Sequence, residues 1–392
     1  MTIMIQPSIA DARNCVYETI DSRAVELRQL DRYIHNNPEP AYEEVIAHNT
    51  LSTFLEKEGF EVKRHAYGVD TSFEAEFGSG GRLVVYCAEY DCLPGIGHAC
   101  GHNLIATASM AAFVGLARTL KKLRVPGRVR ILGTPAEEGG GGKVKLINAG
   151  AFKDDISAAI MSHPIAAHSY EAPYTGMAGF KLIASYKFRV EFFGKGAHAA
   201  GEPWNGINAL DAAVTAYNSI SMLRQSIHPD ERIHGVIEAG GTVPNVIPDY
   251  TRMNWYIRSP TLARASLLVV KAKACFQAAA DATSCKLNYI PYVEDMEHIG
   301  EKVILKQDTP GSISSDMGNV SYEVPSFHGV FAIPAPLDVT GHHPSFAAAA
   351  GTDKAHGAAI QCAKGMSMLG WRVLTDDKIA ESARKDFDSK DS

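Results

Sequence analysis

The stretch "RLVVYCAEYDCLPGIGHACGHNLIATASM", residues 82–110, decides the fold class. An apolar run, "RLVVYCAEY", ends in a loop of acids, glycines, two histidines and a thiol, and an apolar helix runs from about Asn103 to Lys122. A fully apolar strand feeding a long helix is the unit of a mostly parallel sheet covered on both faces. The pattern repeats downstream. "GRVRILGTP" (127–135) reads as a strand, a short helix follows near 143–149, and "AAIMSHP" (158–164) reads as another strand. Upstream, residues 10–60 carry apolar residues at three-to-four spacing until Gly59 stops them, and "EVKRHAY" and "TSFEAEF" then read as strands. In such sheets the active residues gather beyond the carboxyl ends of the strands. "GIGHACGHN" (95–103), "TPAEEGGGG" (134–142) and "MSHP" (161–164) each fall just past an expected strand end. That coincidence marks a candidate site.

A chain of 392 residues is too long for one compact core, so two domains are expected. Its 46% hydrophobic and 21% charged content is that of a soluble globular protein. A net charge of -6 with interspersed signs points away from nucleic acid and from an anionic membrane surface. No apolar run is read as approaching a membrane span. The first residues, "MTIMIQPSIADARNCVYETI", lack the basic and apolar segments of a signal peptide. Seven cysteines (15, 87, 92, 100, 275, 285, 362) are odd in number and scattered, which fits a reducing cytoplasmic setting better than a disulfide framework. The tail "LTDDKIAESARKDFDSKDS" is charged, poor in apolar residues and expected to fray at its end.

The style changes after "EAPYTGMAGF". A long strand at 181–193 is followed by a helix at about 206–226, strands at 232–238 and 250–258, a helix at 261–283 and a strand at 285–292. The order β-α-β-β-α-β is that of a ferredoxin-like split unit. After about residue 295 the alternating style returns with the strand "SFHGVFAI" and one helix, "AAAAGTDKAHGAAIQCAKGMSMLGW". Residues 1–175 and 294–392 are therefore read as one discontinuous α/β domain, with 176–293 inserted into it.

The polar groups at the strand ends are His98, Cys100 and His102, then Glu137 and Glu138, then His163; "TGHHPSF" adds His342 and His343. Histidines, a carboxylate and a thiolate on separate loops of one sheet edge form the ligand set that a borderline metal such as zinc prefers. Each has a blander reading when taken singly. Cys100 alone reads as a buried structural thiol, His163 as a hydrogen-bonded strand-end residue, and Glu137-Glu138 as a solvated pair. The two acids, however, stand between a strand and four glycines, where backbone must pass close to something. Adjacent acids suit a division of labour in which one binds metal and the other takes a proton from a bound water.

"AEYDCLPGIGHACGHN", "TPAEEGGGG", "SHP", "GKGAHAAGEPWNGINALDA", "PNVIPD", "SSDMGNVS" and "HHPSF" occur in the order and spacing of a known family. The chain resembles the aminoacylase/carboxypeptidase-type zinc metallopeptidases (peptidase family M20), in particular the amidohydrolase branch with its auxin-conjugate hydrolases and β-alanyl-lysine-type dipeptidases. The resemblance runs from "HNNPEPAYEE" to the last helix. It implies a three-layer zinc-exopeptidase α/β catalytic domain with an inserted ferredoxin-like lid and dimerisation domain. Position by position, it makes Cys100, His102, Glu138, His163 and His342 the ligands of two zinc ions, with manganese or cobalt as substitutes. Glu137 becomes the general base, Asp91 orients a ligand, and His198 of "GKGAHAA" stabilises the oxyanion. Asn245 and Arg258 match positions that hold the substrate's carboxylate, a task that suits the planar fork of arginine. Two departures stand out. Glu89 occupies a position where the carboxypeptidase branch has a metal-binding histidine. Asn103 replaces the aspartate of the auxin-conjugate hydrolases, which moves the expected substrate toward dipeptides and other N-acyl amino acids.

The reaction implied is hydrolysis of an amide next to a free carboxylate, in a homodimer acting on a small molecule. Three rivals remain open on the sequence. One is a cysteine-nucleophile amidase using Cys100 with His98 or His102. Another is a binding protein that kept the fold, and the third is an enzyme of specialised metabolism forming or rearranging an amide at the same site.

Overall fold

The computed structural model describes residues 7–169, 175–177, 184–291 and 315–388. Residues 181–183 and 292 of the expected strands, most of the 171–176 loop and the boundary at 293/294 lie outside them. The chain opens with helices α1 (Ile9–Asp21), α2 (Ala24–Asn36) and α3 (Val45–Lys57). Strands β1 (Val62–Arg64), β2 (Phe73–Ser79) and β3 (Leu83–Ala88) follow, then α4 (His102–Leu123), β4 (Gly127–Gly133), α5 (Gly142–Asn148), β5 (Ile156–Ala166) and β6 (Gly176–Met177). Next are β7 (Ala184–Phe193), β8 (Ala197–His198), α6 (Ala209–Leu223), β9 (Arg232–Ala239), β10 (Val246–Ile247), β11 (Tyr250–Ser259), α7 (Leu262–Thr283) and β12 (Lys286–Pro291). The last group is α8 (Met317–Glu323), β13 (Ser326–Ile333), α9 (Pro344–Ala350), α10 (Asp353–Thr375) and α11 (Asp377–Asp388). The described residues fall into two compact units, one of residues up to 177 and from 315 onward, the other of 184–291.

The first unit holds a seven-stranded sheet in the order β1-β2-β4-β3-β5-β13-β6. The four middle strands, β4, β3, β5 and β13, run parallel. At the edges β1, β2 and β6 pair antiparallel, so the sheet is mixed rather than parallel throughout. The short link between β1 and β2 explains part of this, because a parallel partner needs a crossover of a dozen residues or more. All six residues of β3 are buried, which is why "LVVYCA" shows no alternation.

Helix α4 corrects one expectation. At 22 residues it is long and apolar enough to cross a membrane by length and composition alone. Almost all of it is buried instead, against α1, α2, α10 and strands β3, β4 and β5. Two further boundaries differ. The last long helix breaks in two at Gly351 and Thr352, where the Thr352 hydroxyl accepts from the Ala355 N–H (3.2 Å) and starts α10. The charged tail continues as α11 up to Asp388, with an Arg384–Asp388 pair (3.0 Å) one turn apart on its surface.

The second unit is a four-stranded antiparallel sheet, β12-β7-β11-β9, with α6 and α7 packed on one face. Its chain order is that of a ferredoxin-like unit. Strand β11 shows the alternation of a half-covered strand: Thr251, Met253, Trp255, Ile257 and Ser259 are buried and their neighbours are not. Helix α6 starts later than expected, at Ala209, because the Asn208 side chain accepts from the Leu210 N–H (2.9 Å) and caps it. Trp255 is fully buried against Phe276 (5.6 Å between ring centres) and Tyr217 (5.7 Å). Trp255→Ala is expected to cost about 3–5 kcal/mol, the range for removing a large core aromatic. Urea unfolding followed by tryptophan-independent circular dichroism measures it, and a loss below about 1 kcal/mol would contradict the packing described.

Candidate metal centre

Parallel strands bring their carboxyl ends to one edge of the sheet, and four of them deliver the polar groups. Glu89, Asp91, Cys100 and His102 follow β3; Glu137 and Glu138 follow β4; His342 follows β13. His163 corrects the expectation of a residue beyond its strand. It lies inside β5, opposite Val330 of β13, because β5 runs on to Ala166.

The ligand-type atoms converge in three overlapping groups, each with its atoms within 4.8 Å of one another: Cys100, His102 and His163; Cys100, Glu138 and His342; Glu89, His102 and Glu137. The Cys100 Sγ is 3.3 Å from His163 Nε2, and His342 Nε2 is 3.3 Å from Glu138 Oε1. His102 Nε2 lies 3.5 Å from Glu89 Oε2 and 3.8 Å from both Glu137 Oε2 and Glu138 Oε1. Atoms sharing one first-row ion at ~2.1 Å each sit roughly 3–4 Å apart, so these separations suit a cation.

The tautomers suit one as well. His102 donates from Nδ1 to Asp91 Oδ1 (3.0 Å), and His163 donates from Nδ1 to the Pro164 carbonyl (2.7 Å). Each ring therefore turns Nε2 inward, the nitrogen through which a bound metal would be held. His102 Nε2 and Glu89 Oε2 are buried with no hydrogen-bond partner. Buried polar atoms are rarely left so, and lone pairs facing one another are what a bound cation would satisfy. The donor set therefore fits metal ions.

Of the two adjacent histidines, His342 faces Glu138 while His343 caps α9 by accepting from the Ser345 N–H (3.1 Å). His342 adopts a left-handed backbone (φ 66°) and donates its N–H to the Ala99 carbonyl (2.8 Å), which ties it to the Cys100 loop. His98 points elsewhere. It bonds the Ile34 carbonyl (3.2 Å) and stacks on His35, so it is no partner for a Cys100 nucleophile.

Electrostatics separate the two adjacent acids. Burial first, and then Glu89 and Glu138, push the Glu137 carboxyl well above its ordinary value. Burial also pushes Glu138 up, but His342 and His102 overcome it and hold Glu138 down to about 2. Burial and the nearby carboxylates raise the Cys100 thiol, and burial lowers His163 to about 4. Burial opposes a charge on His102, yet Asp91 carries its pKa well above the usual imidazole range.

The strand-end reading missed a buried cation. Lys143, the second residue of α5, is fully buried and donates to Glu89 Oε1 (2.5 Å) and Asp316 Oδ1 (2.6 Å). Its backbone N–H also meets Asp316 Oδ2 (2.9 Å). In sequence "GGGGKVK" looks like an exposed helix start, and only the motif "SSDMGNVS" hinted that Asp316 mattered. The glycine run does pass close to something, namely its own turn: a Cβ on Gly142 would lie 1.7 Å from the Pro135 carbonyl oxygen.

The other three candidates belong to the second unit. His198, on β8, is exposed and its Nδ1 accepts from the N–H groups of Ala200 (3.1 Å) and Gly201 (3.0 Å). Asn245 is beside it, its carbonyl accepting from the Ala199 N–H (3.0 Å). Arg258 is on β11 with its guanidinium 5.8 Å from the Tyr256 ring centre. The second unit thus brings Asn245, just before β10, beside β8 with its His198, and Arg258 is on the larger sheet.

A sheet edge of this kind, lined by a thiol, imidazoles and paired acids, is that of a metallohydrolase. The sequence profile of peptidase family M20/M25/M40 matches residues 87–364, and the chain belongs to that family. It is 39% identical to the Xaa-Arg dipeptidase of Mus musculus over 95% of this chain and 91% of that protein. Its fold is similar to that of an aminobenzoyl-glutamate utilization protein from Klebsiella pneumoniae, with a TM-score of 0.66, 17% identity, and coverage of 92% of this chain and 98% of the other. It is also similar to a dinuclear metal binding peptidase of the same family from Bacillus subtilis, with a TM-score of 0.60, 21% identity, and coverage of 90% and 99%. The protein is an enzyme of the metal-dependent amidohydrolase kind, a hydrolase acting on C–N bonds.

Because Cys100 is common to two ligand groups, Cys100→Ala is expected to weaken both metal sites, while His342→Ala weakens one and spares the other. Metal content per chain after dialysis measures this. A Cys100→Ala protein holding as much metal as wild type would exclude a shared thiolate.

Proposed function

We propose that the protein cleaves the amide bond of a dipeptide, or of another N-acyl amino acid, that ends in a free carboxylate. The name of the mouse relative favours a basic residue at that end. The observation that supports this best is the split between the adjacent acids. Glu138 is paired with His342 inside the cluster, and Glu137 stands on the Glu89 side of His102 with a raised pKa.

Ions held by Cys100, His102 and His163, and by Cys100, Glu138 and His342, would polarise the scissile carbonyl and ease deprotonation of a water. Zinc is the proposed metal, with manganese or cobalt able to replace it. Glu137 takes the proton from the attacking water and passes it to the leaving amine. Its raised pKa gives its carboxylate a higher affinity for the proton that it accepts from the water. Asp91 fixes the tautomer and orientation of His102. His198 is proposed to stabilise the oxyanion. Because its Nδ1 already accepts two backbone N–H groups, its proton is on Nε2, which can donate outward. Asn245 and Arg258 are proposed to hold the substrate carboxylate, and residues 176–293 to act as lid and as the contact surface of a homodimer. All seven cysteines are unpaired, which supports a cytoplasmic setting.

Glu137→Gln is expected to keep its metal while turnover falls by about two to four orders of magnitude, the range for losing a general base. Equal loss of metal in Glu137→Gln and Glu138→Gln would show that the two roles are wrongly divided. His198 is tested by mixing His198→Ala chains with Glu137→Gln chains under exchange conditions. Activity returns if the histidine serves the partner's site; none returns if it serves its own or has another role.

A further inference from the structure

We propose that the segment Glu39–Glu44 is a brace that sets the position of Glu137, with Tyr42 and Glu44 as its positioning residues; this rests on the reading of Glu137 as the base. The turn that carries Glu137 links β4 to α5 and belongs to neither. It is gripped at both ends from the same distant segment. At its start, Ala136 has a left-handed backbone (φ 61°), a conformation that costs a residue with a Cβ. Its N–H donates to Glu44 Oε1 (2.8 Å), and Glu44 is fully buried. At its far side the Gly140 carbonyl accepts from the Tyr42 hydroxyl (2.5 Å). The tyrosine ring is seated on the turn itself: a Cβ on Gly140 would lie 2.8 Å from Tyr42 Cε2.

The brace is itself anchored. The Glu39 carboxylate accepts from the N–H groups of Ile46 (2.8 Å) and Ala47 (3.0 Å) at the start of α3. The Glu39 carbonyl accepts from the Cys92 N–H (2.9 Å), next to Asp91. Tyr42 is held in a left-handed turn (φ 65°), and Lys145 Nζ is 3.7 Å from its ring centre. One short segment therefore touches both the loop of Asp91 and the turn of Glu137. Glu138 has its own tether, its N–H on Asp91 Oδ2 (2.8 Å). Glu137 thus sits between two pinned neighbours, Ala136 and Glu138. A base acts only within hydrogen-bond reach of its proton, and a displacement of about 1 Å can cost about 10²-fold in rate.

The experiment compares the full-length, metal-loaded enzyme and its variants Tyr42→Phe, Glu44→Leu, Glu44→Gln and Glu137→Gln for kcat, KM, metal content and thermal unfolding on a dipeptide substrate. Tyr42→Phe and Glu44→Leu are expected to lower kcat by about 10–100-fold, the range for removing an orienting partner. KM should stay within about twofold and metal content should hold, because the Asp91 tether on Glu138 is untouched. Glu44→Gln keeps an oxygen that can accept from Ala136, so most of kcat should survive. The brace is overturned if Glu137→Gln is inactive while a folded Tyr42→Phe protein turns over at the wild-type rate. It is also overturned if kcat falls only in step with lost metal, or if Glu44→Gln loses as much as Glu44→Leu. Should Glu44→Leu not fold, Tyr42→Phe, which removes a single oxygen, decides alone. A fully active Glu137→Gln enzyme would sink the base reading instead, and the brace with it.

Discussion

Asp91 uses both carboxylate oxygens to join the two loops that make the site. One oxygen accepts a hydrogen bond from His102 Nδ1–H and the other accepts one from the backbone N–H of Glu138. The first bond fixes which nitrogen of His102 faces the cluster, and the second tethers the acid turn at Glu138. His102 opens α4, but the acid turn has no regular structure of its own to impose that geometry. Without this carboxylate His102 would lose the bond that orients its ring, and Glu138 would lose its backbone tether.

The same cluster poses a charge problem. Glu89, Asp91, Glu137 and the largely buried Glu138 stand together at one sheet edge, with a thiol among them. Buried carboxylates tolerate one another only when something compensates their charge. Lys143 supplies one positive charge, fixed between Glu89 and Asp316, and the raised carboxyl of Glu137 can hold a proton. Bound cations would complete the balance, which gives a physical reason for a metal at this site.

The layers of the fold were legible because burial leaves a pattern, unbroken or alternating. "LVVYCA" is a strand covered on both sides, and β11 alternates as a half-covered strand should. Strand direction leaves no such mark, so the antiparallel edges β1, β2 and β6 were not visible. The thiol, the imidazoles and the adjacent acids could be picked out by residue type and by their place near strand ends. Lys143, Asp316, Tyr42 and Glu44 could not. Each is held by partners far along the chain, as when Glu44 meets Ala136 and Lys143 meets Asp316. A polar residue destined for the interior looks in sequence like one destined for water. The length of β5 was misjudged for a related reason: Pro164 marks an end by local rules, yet pairing with β13 carries the strand past it.

The central claim is a centre in which one thiolate is shared between two metal positions. Titrating the metal-free protein with cobalt and following its sulfur-to-metal charge-transfer absorption tests that claim most directly. A shared Cys100 requires that a first equivalent produce the band and that a second equivalent change it, with both responses absent in Cys100→Ala. Saturation after a single equivalent, or a second equivalent that leaves the sulfur band unaltered, would contradict it.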